Sequence, residues 1–238
     1  MTGLDELKVK LFADGADKKN MLEMAARAEI KGLTTNPTLM NKAGIKDYRK
    51  FCQEILEEIQ TKPISFEVFS DEFVEMKNQA LEIAGWAANV YVKIPITNTR
   101  GESSLPLVSE LVKEGVKVNV TAVFTERQVE ETAEKLEESL PSYVSVFAGR
   151  IADTGVDPVP LMKTSITKLK HLNNCELIWA SPRELLNVFQ ANEIGCHIIT
   201  ATSDILNKLN LVGMDLEQFS LETVQMFQRD AVAAGFKL

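Results

Sequence analysis

The sequence predicts a closed (β/α)8 barrel of the α/β class, and three observations support this. Eight short runs rich in β-branched residues recur along the chain, segments with helical periodicity separate them, and no Pro/Gly/Ser-rich linker or low-complexity tract interrupts the alternation. The 238 residues suffice for one full core. We expect one domain over residues 1–238, with residues 215–238 as a C-terminal helical extension. A doubly wound open sheet is the rival, but no glycine-rich dinucleotide fingerprint follows the first strand.

The candidate strands are short apolar runs with β-forming residues. In chain order they read "KVKLFAD", "KGLTTN", "ISFEVF", "NVYVKIPI", "KVNVTAVF", "YVSVFAG", "CELIWAS" and "CHIITAT". Strands of a parallel barrel are covered on both faces, so they are expected to be apolar almost throughout. Each polar residue inside them therefore needs a functional or structural reason.

The candidate helices lie between these strands. In "DEFVEMKNQALEIAGWA", "SSLPLVSELVKEG" and "ERQVEETAEKLEESL", apolar residues recur every three or four positions, which is typical of a helix with one buried stripe. Several helical segments are expected to end at a glycine, as helix C-termini prefer, namely at Gly32, Gly85, Gly115 and Gly195.

The tail "SLETVQMFQRDAVAAGFKL" predicts one further helix. An apolar stripe follows one side of it, formed by Leu221, Val224, Phe227 and Ala231. This helix is expected either to close the bottom of the barrel or to reach a neighbouring subunit.

Composition and charge exclude several functional classes. The net charge of -8 and the absence of basic clusters argue against a nucleic-acid or anionic-membrane partner. No run of about 18 apolar residues occurs and the N-terminus lacks a signal-peptide pattern, so we expect a soluble protein. Cys52, Cys175 and Cys196 form no short-spaced pair, which indicates a reducing, cytoplasmic setting. His171 and His197 fit no ligand pattern, so no metal is expected.

The polar residues of the strands fall in register. In "NVYVKIPI", Tyr91 and Lys93 share one face of the strand. The opposite face is entirely aliphatic and should pack on helices. The same alternation groups Asn119 with Thr121 in the fifth run and sets Glu67 apart in the third. Further candidates lie toward the C-terminal ends of strands, where barrels of this type carry active sites, namely Asp14, Thr34, Asn36, Ser145, Phe147 and Ser181.

The lysine inside an apolar strand points to imine chemistry. An ordinary lysine has a pKa of about 10.4, so roughly one molecule in 2,500 carries the neutral, nucleophilic amine at pH 7. Burial disfavours the charged form, so Lys93 is expected to be a Schiff-base nucleophile rather than a salt-bridge partner. The alternative is an ion pair with Glu67 or Asp14, which would suppress nucleophilicity. Asp14 and Glu67 are the carboxylates available for proton transfer, with Thr121 and water assisting dehydration.

Two arginines are candidates for holding an anion. Arg150 in "FAGRIAD" and Arg183 in "ASPRE" follow the sixth and seventh strands, where barrels often bind phosphate. Arg183 is also expected to begin a helix, whose N-terminal amides would add to the site. Solvated surface arginines are the alternative.

Five motifs together resemble the transaldolase family of class I aldolases. They are "TTNPTLM", "VYVKIPIT", "VNVTAVFTERQ", "FAGRIAD" and "WASPRE", and they span nearly the whole chain. The chain is most similar to the short branch, which includes fructose-6-phosphate aldolases. The resemblance implies a cofactor-independent enzyme that acts on sugar phosphates and forms a homo-oligomer.

The resemblance also implies roles for the candidate residues. Lys93 would form the Schiff base, Asp14 would be the acid/base at the C4 hydroxyl of the donor, and Glu67 with Thr121 would form a water-mediated relay. The dihydroxyacetone unit would be held by Thr34, Asn36, Asn119, Ser145 and Ser181. The phosphate would be held by Arg150 and Arg183.

Two positions resemble the transferases rather than the simple aldolases. Aldolases of the family typically carry Gln in place of Glu67 and Tyr in place of Phe147. The sequence departs from the family pattern at Val146, where proline is frequent, and at Pro182, which separates Ser181 from Arg183. The resemblance thus implies a transaldolase. An aldolase that releases dihydroxyacetone, a sulfosugar-specific transaldolase and a silent sugar-phosphate-binding barrel remain open.

Overall fold

A computed structural model describes residues 4–238 and contains eight strands and eleven α-helices in that range. Each strand pairs in parallel with the next, and β8 pairs with β1, so the sheet closes into a barrel. The strands are Lys10–Asp14 (β1), Ile30–Thr34 (β2), Ile64–Glu67 (β3), Val90–Pro95 (β4), Val118–Val123 (β5), Ser142–Val146 (β6), Cys175–Trp179 (β7) and Ile198–Thr202 (β8). The predicted (β/α)8, or TIM, barrel is therefore confirmed.

The helices surround the barrel. They are Lys18–Ala26 (α1), Pro37–Lys42 (α2), Tyr48–Glu58 (α3), Phe73–Ala84 (α4), Leu105–Lys113 (α5), Glu126–Ala133 (α6), Ala148–Asp153 (α7), Val159–Leu169 (α8), Leu186–Glu193 (α9), Ser203–Leu206 (α10) and Leu216–Ala233 (α11). Short 3-10 helices cover Leu4–Glu6 and Asn207–Leu211. No helix among residues 4–238 is long and apolar enough to cross a membrane.

Side-chain caps explain where several helices begin. Asp17, Asn36, Asp47 and Asp215 each accept a hydrogen bond from the backbone N–H three residues later. Thr125 forms a reciprocal capping box at the start of α6. Asp17, Asn36 and Thr125 define the turns from β1, β2 and β5 into helices, whereas Asp47 and Asp215 begin helices that follow other helical segments.

One predicted helix end is wrong. Gly32 lies inside β2 and not at a helix C-terminus. A Cβ at this position would lie 2.4 Å from the ring of Phe12, which projects into the barrel from β1. Glycine is required here because the ring occupies the space that a side chain would need.

Aromatic and aliphatic side chains fill one layer of the barrel interior. The layer consists of Phe12, Tyr91, Tyr143, Ile178, Ala180 and Ile198. Tyr91 and Tyr143 stack with ring centroids 4.1 Å apart, and Phe12 meets Tyr143 edge-on. Because side chains alternate along a strand, the next inward position lies two residues further on, about 6.6 Å nearer the C-terminal end. On β1, β4 and β6 those next positions are Asp14, Lys93 and Ser145.

The C-terminal helix has no buried residue. Large apolar side chains on and after α11 are well exposed, including Leu216, Val224, Phe227, Val232 and Phe236. The helix predicted from the sequence is present, but it does not bury its apolar stripe against the barrel as an intramolecular cap would.

Candidate active site

A small cavity lies at the C-terminal ends of the strands. Its volume is about 70 Å³. Nine of the twelve predicted site residues line it, namely Asp14, Thr34, Asn36, Lys93, Thr121, Ser145, Phe147, Arg150 and Ser181. Ala180 and Thr200 complete the lining. The alternation of side chains along six strands, together with residues that follow β2, β6 and β7, thus brings residues distant in sequence to one place.

A larger hollow of about 520 Å³ lies at the opposite end of the barrel. It includes the Lys10 and Glu176 ion pair and the first residues of several strands. It contains none of the predicted catalytic residues. Because barrels of this class place catalytic groups at the C-terminal end, the smaller cavity is the candidate active site.

Lys93 lies on the floor of the cavity and is 5% exposed. Its Nζ is 3.0 Å from Glu67 Oε2 and donates a hydrogen bond of 3.0 Å to the backbone carbonyl of Thr35. The expectation that Lys93 would not be a salt-bridge partner is therefore wrong for this structure. Glu67 and Lys93 are register partners on β3 and β4, and both side chains project inward, so the two charges meet.

Asp14 is the second carboxylate at the amine. Burial raises the pKa of Asp14, and this effect outweighs the Lys93 charge and the Thr34 hydrogen bond, which lower it; the Glu67 charge raises it further. Thr34 Oγ1 donates to Asp14 Oδ1 over 2.7 Å. A carboxyl group with a raised pKa exchanges protons more readily near neutrality, as an acid/base catalyst must.

Thr121 presents a hydroxyl group that has no partner among the described residues. Its Oγ1 is buried and lines the cavity. The next residue, Ala122, has φ 57°, and the β5–β6 register is irregular between Val120 and Val123. Buried hydroxyl groups almost always bond to a protein atom or to water, so Thr121 is suited to bind a water molecule or a ligand.

A second set of polar groups is held rigidly beside the cavity. Asn119 is fully buried, its Oδ1 accepts from Ser145 Oγ over 2.7 Å, and its Nδ2 donates to Ser65 Oγ over 3.1 Å. Asn36 Oδ1 caps α2 by accepting from Leu39 N. The Asn36 carbonyl is thus committed to the helix, and its Nδ2 is the group suited to donate to a ligand.

The two predicted anion-binding arginines lie in different surroundings. Arg150 lines the cavity, and its guanidinium carbon is 5.5 Å from the centroid of the Phe147 ring. Arg183 is not in the cavity lining. It forms a two-point ion pair with Asp153, which lowers the pKa of that carboxyl, and it donates to Ser181 Oγ over 3.1 Å.

Arg183 also does not begin a helix. The helix after β7 starts at Leu186, and Asn187 Oδ1 accepts hydrogen bonds from the N–H groups of Arg183 and Glu184. Ser181 has φ 59° and Pro182 follows it, so the chain turns away from the strand before it becomes helical. The expected contribution of helix amides to an anion site at Arg183 is therefore wrong.

Three further residues, which are not among those predicted, line the cavity or contact site residues. Thr200 lines the cavity, Ser65 fixes the amide of Asn119, and the Tyr48 hydroxyl donates to the backbone carbonyl of Glu67 over 2.7 Å. Thr200 and Ser65 are inward positions of β8 and β3, so the alternation used for the other strands identifies them. Tyr48 lies on α3, and no strand pattern predicts its contact.

Comparison with known proteins shows the family. A family model described as "Transaldolase/Fructose-6-phosphate aldolase" matches residues 11–238. The chain belongs to the transaldolase/fructose-6-phosphate aldolase family. The family match confirms the resemblance that the five sequence motifs indicate.

Individual relatives agree with this family assignment. The chain is 34% identical to a "Probable transaldolase" of Thermoanaerobacter sp. (strain X514) over 231 residues, which are 97% of this chain and 100% of the relative. It is 36% identical to a "Probable transaldolase" of Streptococcus agalactiae serotype V over 81% of this chain and 85% of the relative. A "Probable transaldolase 2" of Listeria monocytogenes is 35% identical over 84% and 88%. This transaldolase-family protein is thus an enzyme of the transaldolase type.

Proposed function

We propose that the protein transfers a dihydroxyacetone unit from a ketose phosphate to an aldose phosphate through an imine on Lys93. The donors are sedoheptulose 7-phosphate or fructose 6-phosphate, and the acceptors are glyceraldehyde 3-phosphate or erythrose 4-phosphate. The observation that carries the proposal is a buried lysine on the cavity floor with Glu67 at 3.0 Å and Asp14 in the same cavity lining. An amine flanked by two carboxylates is the set of groups that imine formation and C–C cleavage need.

Imine formation starts from the ion pair. Glu67 accepts a proton from the ammonium group of Lys93, and the free amine attacks the C2 carbonyl carbon of the donor. The resulting carbinolamine loses its hydroxyl group as water after protonation, which leaves the imine. Thr121 supports this step because its unpartnered hydroxyl group is suited to hold the water that leaves and later returns for hydrolysis.

Carbon–carbon cleavage uses the second carboxylate. Asp14 removes the proton of the C4 hydroxyl group, the C3–C4 bond breaks, and the aldose leaves as an aldehyde. The electron pair moves to C3 and the imine nitrogen as an enamine. The enamine then attacks the carbonyl carbon of the acceptor, Asp14 returns the proton to the new hydroxyl group, and water releases the product from Lys93.

The remaining residues of the cavity position the substrate. We assign Asn36, Ser145 and Ser181 to the hydroxyl groups of the dihydroxyacetone unit, with Asn119 orienting Ser145. Thr34 donates its hydroxyl proton to Asp14, so it acts on the dihydroxyacetone unit indirectly, by positioning that carboxylate. Arg150 and Arg183 are assigned to the phosphate group. Arg183 must share its guanidinium with Asp153 or exchange that partner for the substrate.

The first experiment measures release of glyceraldehyde 3-phosphate from fructose 6-phosphate, with and without erythrose 4-phosphate. Turnover that depends on the acceptor is the expected result. Turnover without the acceptor would instead identify an aldolase that releases dihydroxyacetone. If neither condition gives turnover, sulfonated ketose donors are tested next, because a sulfonate also fits a guanidinium pair.

Covalent capture of the donor tests whether Lys93 leaves its ion pair with Glu67 to form the imine. Borohydride reduction in the presence of fructose 6-phosphate should add the mass of the reduced three-carbon adduct to Lys93. No added mass would refute the imine on Lys93. Lys93→Ala should lose the adduct and reduce turnover by at least about a thousandfold. Lys10→Ala, which removes another ion-paired lysine at the opposite end of the barrel, should change neither.

We further propose that the protein works in the cytoplasm as a homo-oligomer, with residues 215–238 as a helical extension of one barrel domain. The three cysteines are free and buried, which suits a reducing compartment. The exposed apolar side chains of α11 suit contact with a second copy of the chain.

A further inference from the structure

Two threonine hydroxyl groups, one on each strand that neighbours β1, form a short hydrogen-bonded chain with Asp14. Thr34 on β2 donates to Asp14 Oδ1 over 2.7 Å, and Thr34 Oγ1 lies 2.6 Å from Thr200 Oγ1 on β8. Both threonines are buried, at 2% and 5% exposure, and both line the cavity. No role has been assigned to Thr200 in the reaction described above.

The number of available protons determines which group donates in each hydrogen bond between Asp14, Thr34 and Thr200. Each threonine hydroxyl group has one proton and two lone pairs. When Asp14 is a carboxylate, Thr34 must give its proton to Asp14, so the short contact between the hydroxyl groups requires Thr200 to donate to Thr34. When Asp14 is protonated, the Asp14 hydroxyl group can donate to Thr34, and Thr34 can then donate to Thr200. The two hydroxyl groups therefore reverse together as Asp14 gains or loses its proton.

We propose that Thr200 is a positioning residue which, through Thr34, stabilises the carboxylate form of Asp14 and adapts to its protonated form. A donor to Thr34 polarises the Thr34 O–H group and strengthens the hydrogen bond that reaches Asp14, because hydrogen bonds in a chain reinforce one another. This proposal rests on the acid/base role proposed for Asp14. It deepens that role by naming the group that tunes it.

The charged groups around Asp14 also affect its pKa, and they come from several elements. Lys93 from β4 and Glu67 from β3 act on the Asp14 carboxyl with opposite signs. On the elements that pack against β1, Lys18 of α1 is paired with Glu54, and Asp204 of α10 is exposed. The charges nearest the carboxyl thus oppose each other, and the Thr34 hydrogen bond lowers the pKa of Asp14 more than the Glu67 charge raises it.

The test compares Thr200→Val, which keeps the shape and removes the hydroxyl group, with Thr200→Ser, which keeps the hydroxyl group. The titration of Asp14 is followed by the ¹³C signal of its carboxyl carbon, assigned by its loss in Asp14→Asn. The midpoint should rise by roughly 0.2–0.5 pH unit in Thr200→Val and stay at the wild-type value in Thr200→Ser. Thr34→Val, which removes the direct donor, should give a larger rise than Thr200→Val.

Thr132→Val is the matched control. Thr132 on α6 is a fully buried threonine whose hydroxyl group bonds to a backbone carbonyl away from the cavity. The Thr132→Val variant should leave the titration midpoint of Asp14 unchanged. The low-pH limb of the kcat/KM profile should move upward in Thr200→Val by the same amount as the NMR midpoint.

A wild-type midpoint in Thr200→Val, or the same shift in Thr200→Ser, would overturn the proposal. If Thr200→Val does not fold, Thr200→Cys provides the test, because the thiol is a weaker donor and should shift the midpoint in the same direction. The NMR titration does not depend on turnover. A protein without transaldolase activity would refute the proposed function while the titration still decides the role of Thr200.

Discussion

At the scale of single residues, the buried contact between Lys93 and Glu67 is the central ion pair of the candidate site. Removing two charges from water costs more than their attraction returns unless further groups satisfy them. Here Lys93 has a second acceptor in the Thr35 carbonyl, and Glu67 is 16% exposed in its side chain. In the proposed mechanism, one proton transfer from Lys93 to Glu67 within this ion pair frees the nucleophilic amine.

The buried carboxyl of Asp14 should cost the protein stability at neutral pH. Its pKa is raised above the ordinary value of 3.8, so the folded state binds the proton more tightly than the unfolded state. The stability that this group contributes is full below the unfolded pKa and is lost as pH rises through the folded pKa. Asp14→Asn should therefore raise Tm at pH 7 and abolish turnover.

Thermal unfolding at a series of pH values measures this effect. The gain in Tm of Asp14→Asn over the wild type should shrink as pH falls and vanish below about pH 3.9, where both states of the wild type are protonated. Asp157→Asn, at an exposed aspartate, is the matched control and should show no comparable gain at pH 7. A gain in Asp14→Asn that is independent of pH would contradict the assignment.

Phe147 should govern how long the three-carbon imine survives. Its ring lines the cavity and packs against Phe124 and the Arg150 guanidinium, and it presents no hydroxyl group to the cavity. A tyrosine hydroxyl group would bring a water-binding group to that wall. Phe147→Tyr should raise dihydroxyacetone release severalfold relative to transfer, measured with fructose 6-phosphate in the absence of acceptor. Phe124→Tyr is the comparison, and no increase in Phe147→Tyr would count against this role.

At the scale of elements, the backbone of the turn after β7 is in close contact with the backbone of α7, the helix after β6. A Cβ on Gly149 would lie 1.5 Å from the backbone oxygen of Ser181, so only glycine allows this approach. Because Arg150 follows Gly149 directly, this contact places both arginine-bearing segments. The proposed anion site would thus depend on a backbone contact as well as on its charges.

Gly149→Ala should separate these two segments. We expect the free energy of unfolding to fall by about 1–3 kcal/mol and KM for phosphorylated donors to rise more than KM for dihydroxyacetone-type donors without phosphate. Gly85→Ala is the control, since Gly85 has φ -75° and a Cβ there meets its nearest atom at 3.4 Å. Denaturant unfolding and steady-state kinetics measure both effects. Equal KM changes on both donors would show that the contact does not serve the anion site.

The helix α11 should carry the subunit contacts. It is an 18-residue helix without a buried side chain, and Val224 and Phe227 lie on one stripe at 59% and 62% exposure. Replacing both with serine should lower the mass measured by sedimentation velocity, because the apolar contact between copies is lost. Gln225→Ser on the same helix should not change the mass. A wild-type mass in the double variant would place the interface elsewhere.

At the scale of the whole molecule, the alternation of side chains explains how much the sequence predicted. Lys93, Asp14, Thr121 and Ser145 are all inward positions of separate strands, and closure of the barrel brings them together without further information. The ion pair of Lys93 with Glu67 depends on the relative register of β3 and β4, which strand patterns do not define. Side-chain pairs across loops are likewise absent from any local pattern, as for Arg183 with Asp153 and Tyr48 with Glu67.

The helices were less predictable than the strands. The pattern predicted a helix over "ERQVEETAEKLEESL", but α6 ends at Ala133, although Leu136 beyond its end is also buried. The sequence pattern also allowed two positions for the tail helix. An apolar stripe indicates that a helix packs against something, but it does not indicate whether that is the barrel or another subunit. Tertiary contacts decided such points, while periodicity alone decided which side of each strand faces the cavity.

The three buried thiol groups make the protein a convenient host for site-specific labelling. Burial raises the pKa of Cys175 to about 11 and that of Cys196 to about 12, and it raises the pKa of Cys52 as well. Thiolates are the species that react with maleimides, so the native cysteines should stay silent at neutral pH. A single cysteine introduced on an exposed position of α11 would therefore accept one fluorophore, and energy transfer between donor-labelled and acceptor-labelled copies would report whether copies associate as proposed.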